Sequence, residues 1–124
     1  MTGEELVARA RAAAANAYAP YSNYFVGAAV VARDGRVFEG VNVENAAYPL
    51  GICAERCCLG AVATAGLKPG DLDEIAITAS PCGGCRQWLA EFRIPEVSFR
   101  RDDGTIATYE AKGLLPETWD FPES

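Results

Sequence analysis

The sequence predicts an α/β domain in which helices cover both faces of one sheet. Three observations carry this. Helical and strand patterns interleave along the chain in the order α-β-β-α-β-α-β-β, which favours a layered sheet. The last two strand patterns are joined only by Asp102-Asp103-Gly104. They must pair antiparallel, since a parallel crossover needs about a dozen residues. The chain has 124 residues, half of them hydrophobic. That is the size of a single domain, residues 1–124, burying about two-thirds of its unfolded surface.

Each element has a local reason. Thr2 and Glu5 have capping-box spacing, so a helix is expected over residues 2–18, ended by Pro20. The apolar run 25–31 reads as a buried strand. Arg33-Asp34-Gly35-Arg36 reads as a hairpin turn, with Asp-Gly supplying positive φ, and 37–41 returns as the partner strand. Residues 42–52 look irregular and carry Asn42, Glu44 and Asn45. Cys53 opens a second helix over 53–65, with Gly66 as its stop. After the Lys68-Pro69-Gly70 turn, a short strand covers 75–78. Ser80 as N-cap and Pro81 as first residue start a third helix over 81–91. Strands follow at 97–101 and 106–109. Little regular structure is expected over 114–124.

Composition narrows the chemistry. The net charge is −6, a poor match to nucleic-acid polymers, whose phosphates demand a basic groove. It leans toward a small uncharged or cationic ligand. The absence of histidine excludes Ser-His-Asp and Cys-His catalysis and any imidazole-ligated metal. Five cysteines, two of them adjacent, make a poor disulfide framework. The chain shows no secretory signal and no uncharged run of about 18 residues. A reducing cytoplasm and no membrane association are expected.

The informative residues lie in two stretches, Cys53-Ala54-Glu55-Arg56 and Ser80-Pro81-Cys82-Gly83-Gly84-Cys85. Cys53, Cys82 and Cys85 offer three soft ligands at expected helix starts, where amides and the helix dipole stabilise thiolates. Three thiolates leave one corner of a tetrahedral Zn²⁺ open for solvent, with Glu55 two residues from the first thiol. A zinc hydrolase for a small polar substrate follows. Two alternatives share these residues. Cys57, one turn beyond Cys53, could complete a closed four-cysteine structural site used for binding. The Cys-x-x-Cys alone could be a redox dithiol. Otherwise Cys57 and Cys58 are small packed helix residues. Asn42 and Glu44 are either a solvated strand end or a pair aimed at a hydroxylated ligand. The aromatics Tyr18, Tyr21, Tyr24, Phe25 and Tyr48 mostly read as packing.

Five motifs in order resemble the short, three-cysteine cytidine deaminases. They are Pro20-Tyr21-Ser22, Val26-Gly27-Ala28-Ala29, Asn42-Val43-Glu44-Asn45-Ala46-Ala47-Tyr48, Cys53-Ala54-Glu55-Arg56 and Pro81-Cys82-Gly83-Gly84-Cys85-Arg86-Gln87. The similarity spans about residues 19–92 and continues weakly beyond. It implies a five-stranded mixed sheet between helices, with an antiparallel last pair. It also implies hydrolytic deamination of cytidine and 2′-deoxycytidine, by chemistry already known for zinc deaminases rather than derived from this chain. Under the resemblance Cys53, Cys82 and Cys85 bind Zn²⁺ and Glu55 shuttles protons. Asn42 and Glu44 hold the ribose 3′-hydroxyl. The Ala54 amide meets the pyrimidine O2, and the Ser80 carbonyl meets the leaving amino group. Arg56 and Gln87 donate to the thiolates. Tyr48 reaches a neighbouring subunit's site in a homotetramer. A related aminopyrimidine is the alternative substrate.

The sequence departs from the family in three places. Tyr24 stands where the family usually has Phe against the base. Phe25 follows where a polar residue is frequent. The stretch before Pro81 is short, which implies a pocket open enough for N4-substituted cytidines. The C-terminal aromatic that closes a neighbour's site is Phe121 or Trp119.

Overall fold

A computed structural model describes residues 1–120 of the chain; Phe121 lies outside the described residues. The Thr2–Glu5 capping box forms: Thr2 Oγ1 accepts from the Glu5 amide at 3.1 Å, and Glu5 Oε1 from the Thr2 amide at 3.2 Å. It starts helix α1, Gly3–Ala14. The helix stops well before Tyr18, and Pro20 is not what ends it. Tyr18 N–H donates to the Asn42 carbonyl at 3.1 Å and its own carbonyl accepts from Glu44 N at 2.8 Å. This bridge draws the backbone out of the helix.

Strand β1 is Gly27–Ala32, so Phe25 is outside it and 48% exposed. The Asn42 side chain explains the late start. Its Oδ1 accepts from Val26 N at 2.9 Å and its Nδ2 donates to the Tyr24 carbonyl at 2.8 Å. A side chain therefore takes the backbone groups that a strand ladder would use. The hairpin to β2, Val37–Val41, turns through Gly35 at φ +92°, with Gly35 N donating to Ala32 O at 2.9 Å. Only the glycine of the Asp-Gly pair has positive φ, the pattern of a type I turn followed by a left-handed residue.

Helix α2 is Ala54–Thr64 with Cys53 as N-cap, and Gly66 stands beyond its end at φ +91°. Strand β3, Leu72–Ile77, starts earlier than the sequence suggests. Helix α3 is Gly83–Glu91, and its N-cap is Cys82 rather than Ser80. The Cys82 sulfur accepts from the Cys85 amide at 3.5 Å, which leaves Pro81 outside the helix. Strands β4, Glu96–Arg100, and β5, Ile106–Tyr109, pair antiparallel as expected. Two short 3₁₀ turns form: Tyr48–Leu50 lies within a stretch that reads as irregular, and Ala111–Leu114 runs up to the start of the C-terminal stretch. Segments of three or four residues are too short to show a helical period.

The sheet order is β2-β1-β3-β4-β5. It is mixed: only β3 and β4 run parallel. Alternation along the strands divides the core into two layers. Ala28, Val30, Ile75, Ile77, Val97 and Phe99 face α2 and α3. Ala29 and Ala76 face Leu6 and Ala10 of α1. The expected three-layer α/β/α arrangement is thus present, and it sets the N-termini of α2 and α3 at the same end of the sheet.

Two glycines let the layers touch. A Cβ on Gly27 would lie 2.1 Å from the Ala10 carbonyl of α1, and one on Gly40 would lie 2.3 Å from Cys58 N and 2.6 Å from Ala54 O of α2. These obstacles are backbone and cannot rotate away. Gly40→Ala is expected to destabilise the fold by about 1–3 kcal/mol, the cost of overpacking, measured as a lower denaturant midpoint. An unchanged midpoint would show that α2 is free to shift.

Candidate active site

Two helix N-termini meet at the cysteine cluster. Cys53 caps α2, Cys82 caps α3, and Cys85 sits in the first turn of α3. The three sulfurs lie within 4.8 Å of one another. Cys85 is buried, Cys53 half-buried and Cys82 exposed. Burial pushes the Cys53 thiol up and the Cys85 thiol well up. Burial also acts on Cys82, but the Cys85 amide and hydrogen bonds with Cys85 and Cys53 outweigh it and hold that thiol low. A cluster with one readily ionised thiol and two reluctant ones suits a cation, which replaces the protons as the sulfurs ionise. Three soft donors this close together fit Zn²⁺.

Glu55 is two residues from Cys53 and 4% exposed. Burial raises its carboxyl above the ordinary carboxylate range. Arg56 follows. Burial opposes its charge, but Cys85, Cys53 and Cys82 beside it outweigh that and raise its pKa. Its Nε is buried with no hydrogen-bond partner among the described residues. The guanidinium therefore places positive charge beside the sulfurs with a donor to spare. Gly84 makes room for it: a Cβ there would lie 2.2 Å from Arg56 Nη2.

Cys57 does not join the cluster; among the described residues the metal-competent group is Cys53, Cys82 and Cys85. Cys58 is fully buried, its thiol pushed up to about 12 by burial, and its Sγ donates to the Phe38 carbonyl at 3.4 Å. It packs, as expected.

The polar pair lies beside this centre. An antiparallel bridge joins Val43 and Ile52, each amide donating to the other's carbonyl at 2.9 Å. One step along the register puts Asn42 beside Cys53 and Glu44 beside Gly51. Glu44 Oε1 accepts from the Tyr21 and Ser22 amides at 3.0 and 3.1 Å, and Oε2 from the Ser22 hydroxyl. The Ser22 hydroxyl chiefly holds the Glu44 carboxyl below its usual range. Sequence reasoning missed Ser22, whose hydroxyl also accepts from Tyr24 N at 3.0 Å. Only its place in the Pro20-Tyr21-Ser22 motif marked it. Three of the four acceptor positions on Glu44 are used, as is one of the two amide protons of Asn42. One acceptor and one donor are left, which is what a ligand hydroxyl takes. Glu44 lines a groove of about 340 Å³ with Tyr21, Ser22, Asn45, Tyr48 and Gly51.

The remaining expected residues are more spread. Ala54 is buried in the first turn of α2, where the backbone N–H has no intrahelical acceptor. Ser80 is exposed on the link between β3 and α3, and Tyr24 is 56% exposed. Tyr48 is 81% exposed on its 3₁₀ turn. Gln87 donates its Nε2 to the Trp119 carbonyl at 3.2 Å, not to a thiolate.

Comparison with known proteins agrees with this geometry. Residues 1–101 match the sequence model of the "Cytidine and deoxycytidylate deaminase zinc-binding region". The chain is 44% identical over 115 residues to a cytidine deaminase of Mycobacterium tuberculosis, covering 90% of this chain and 84% of that one. It is 41% identical over 98 residues to a cytidine deaminase of Sporosarcina psychrophila, covering 74% and 71%. A crystal structure of cytidine deaminase from Burkholderia pseudomallei superposes with a TM-score of 0.90 at 44% identity, over 96% of this chain and 100% of that one.

Proposed function

We propose a function from one premise: the chain belongs to the zinc-binding cytidine and deoxycytidylate deaminase family. It is a zinc-dependent enzyme of hydrolytic deamination. The substrates proposed are cytidine and 2′-deoxycytidine, converted to the uridines with release of ammonia. The carrying observation is the cluster of three sulfurs within 4.8 Å, at two helix N-termini, with buried Glu55 beside it.

Cys53, Cys82 and Cys85 would hold the zinc. Zinc when bound supplies the Lewis acidity that makes hydroxide available near neutral pH. Glu55 takes a proton from the attacking water and delivers it to N3 of the pyrimidine, which makes C4 electrophilic. The new C4–O bond forms as that proton arrives. Glu55 then takes the proton of the new C4 hydroxyl and passes it to N4; C4=O forms as the C4–N4 bond breaks and ammonia leaves. Its raised pKa suits a group that must both accept and return a proton. The Ala54 N–H is free to meet O2, and the Ser80 carbonyl to meet the departing nitrogen. Glu44 and Asn42 offer the spare acceptor and donor to the ribose 3′-hydroxyl. Arg56 offsets the charge of the thiolates. The same role proposed for Gln87 requires its amide to leave the Trp119 carbonyl or to use its second proton.

Several further readings accompany this one. The chain acts as one domain in pyrimidine salvage. Its cysteines are all free, which suits the cytoplasm. Among the described residues no helix is long and apolar enough to cross a membrane. A homotetramer with shared sites is supported by Tyr48 and Leu50, 81% and 72% exposed beside the groove. Tyr24 would lie against the base.

Absorbance change with cytidine, with and without a chelator, tests the reading: turnover is expected, abolished by zinc removal and restored by zinc. The exposed Ser80 and Cys82 on the link after β3 also support tolerance of bulk at N4. Measurable kcat/KM is expected for N4-alkyl or N4-acyl cytidine, and no detectable turnover of either removes this extension.

A further inference from the structure

We propose that Arg86 is a positioning residue for the metal centre: its guanidinium ties the peptide before Cys82 to the C-terminal 3₁₀ turn and so fixes the Cys82 sulfur. The proposal rests on the zinc reading above.

Cys82 is the least buried of the three ligands, its sulfur meeting the Cys85 amide at 3.5 Å. Cys85 is buried and Cys53 is half-buried, while Cys82 is exposed. It is followed by Gly83 and Gly84, which add backbone freedom and no packing side chain. Upstream, the link from β3 is held at Thr78, which exchanges two 3.0 Å bonds with Gly27. Pro81 has no N–H, and its carbonyl lies one residue before the cap, where the helix cannot use it. The first helical bond runs from Arg86 N to the Cys82 carbonyl at 2.9 Å.

The Arg86 side chain supplies what is missing. Its Nε donates to the Pro81 carbonyl at 2.9 Å, and its Nη1 donates to the Leu114 carbonyl at 3.2 Å. Leu114 is a firm anchor: its side chain is 8% exposed in the same core as Leu89, Val97 and Phe99. The planar fork thus joins a ligand-bearing loop to the core through two carbonyls. Lysine, with a single compact ammonium, cannot reproduce that pair of directed bonds.

The test compares Arg86→Lys and Arg86→Met with the parent, each as the full zinc-loaded chain. Zinc affinity is read by chelator competition, amide exchange at residues 83–85 by mass spectrometry, and activity with and without added zinc. Both variants are expected to bind zinc about 10–100-fold more weakly, the usual penalty for losing an outer support of a metal ligand. Exchange at 83–85 quickens, and excess zinc restores much of the activity. Parental zinc affinity in the variants overturns the proposal, as does activity lost without recovery by zinc. If Arg86→Met does not fold, Arg86→Lys decides. A parent that holds no zinc overturns the deaminase reading itself, a result distinct from variants matching a zinc-loaded parent.

Discussion

Glu55→Gln is expected to fold, hold zinc and lose about 10²–10⁴-fold in kcat, the usual worth of general acid–base help. The substitution keeps the volume of a side chain that is 4% exposed, so packing in the first turn of α2 is preserved. It also removes the cost of a carboxyl whose charge burial opposes, so stability should not fall. What it removes is the ability to carry one proton from water to N3 and a second from the C4 hydroxyl to N4. Zinc content, thermal midpoint and kcat are measured on the same preparation. Near-parental kcat would take Glu55 out of the mechanism. Low kcat with low zinc would make it a structural support of the site instead.

Cys85→Ala is expected to lose both metal and turnover. Structural zinc sites are worth about 10–16 kcal/mol over four ligands, so about 2.5–4 kcal/mol per ligand, or roughly 10²–10³ in affinity. The sulfur lost is the buried member of the cluster, within 4.8 Å of the capping sulfurs of both helices. Cys57→Ala is the matched control. It too is a helix thiol, though only half-buried; it lies outside the sulfur cluster, and it should keep zinc and activity within error. Loss of zinc from Cys57→Ala would revive the closed four-cysteine site and leave no corner for solvent.

The sequence was legible where a residue's chemistry acts locally. Thr2 and Glu5 close their capping box, Gly35 and Gly66 take the positive φ expected of them, and a link of five residues forces β4 and β5 antiparallel. Cysteine spacing placed three sulfurs at two helix starts, and the cluster follows from it. What escaped depends on partners distant in the chain. Asn42 captures the backbone of residues 24–26 and delays β1. Tyr18 bridges to Val43 and shortens α1. Cys82 outcompetes Ser80 for the cap because its sulfur meets the Cys85 amide. The two-carbonyl reach of Arg86 depends on Leu114, far along the chain. Periodicity does not encode such bonds.

Deamination at this site requires a zinc held by three sulfurs with its last corner open to solvent. X-ray absorption at the zinc edge of the purified protein tests this most directly. The expected first shell is three sulfurs at about 2.3 Å and one oxygen at about 2.0 Å. A shell of four sulfurs, or a folded protein without zinc, would contradict it.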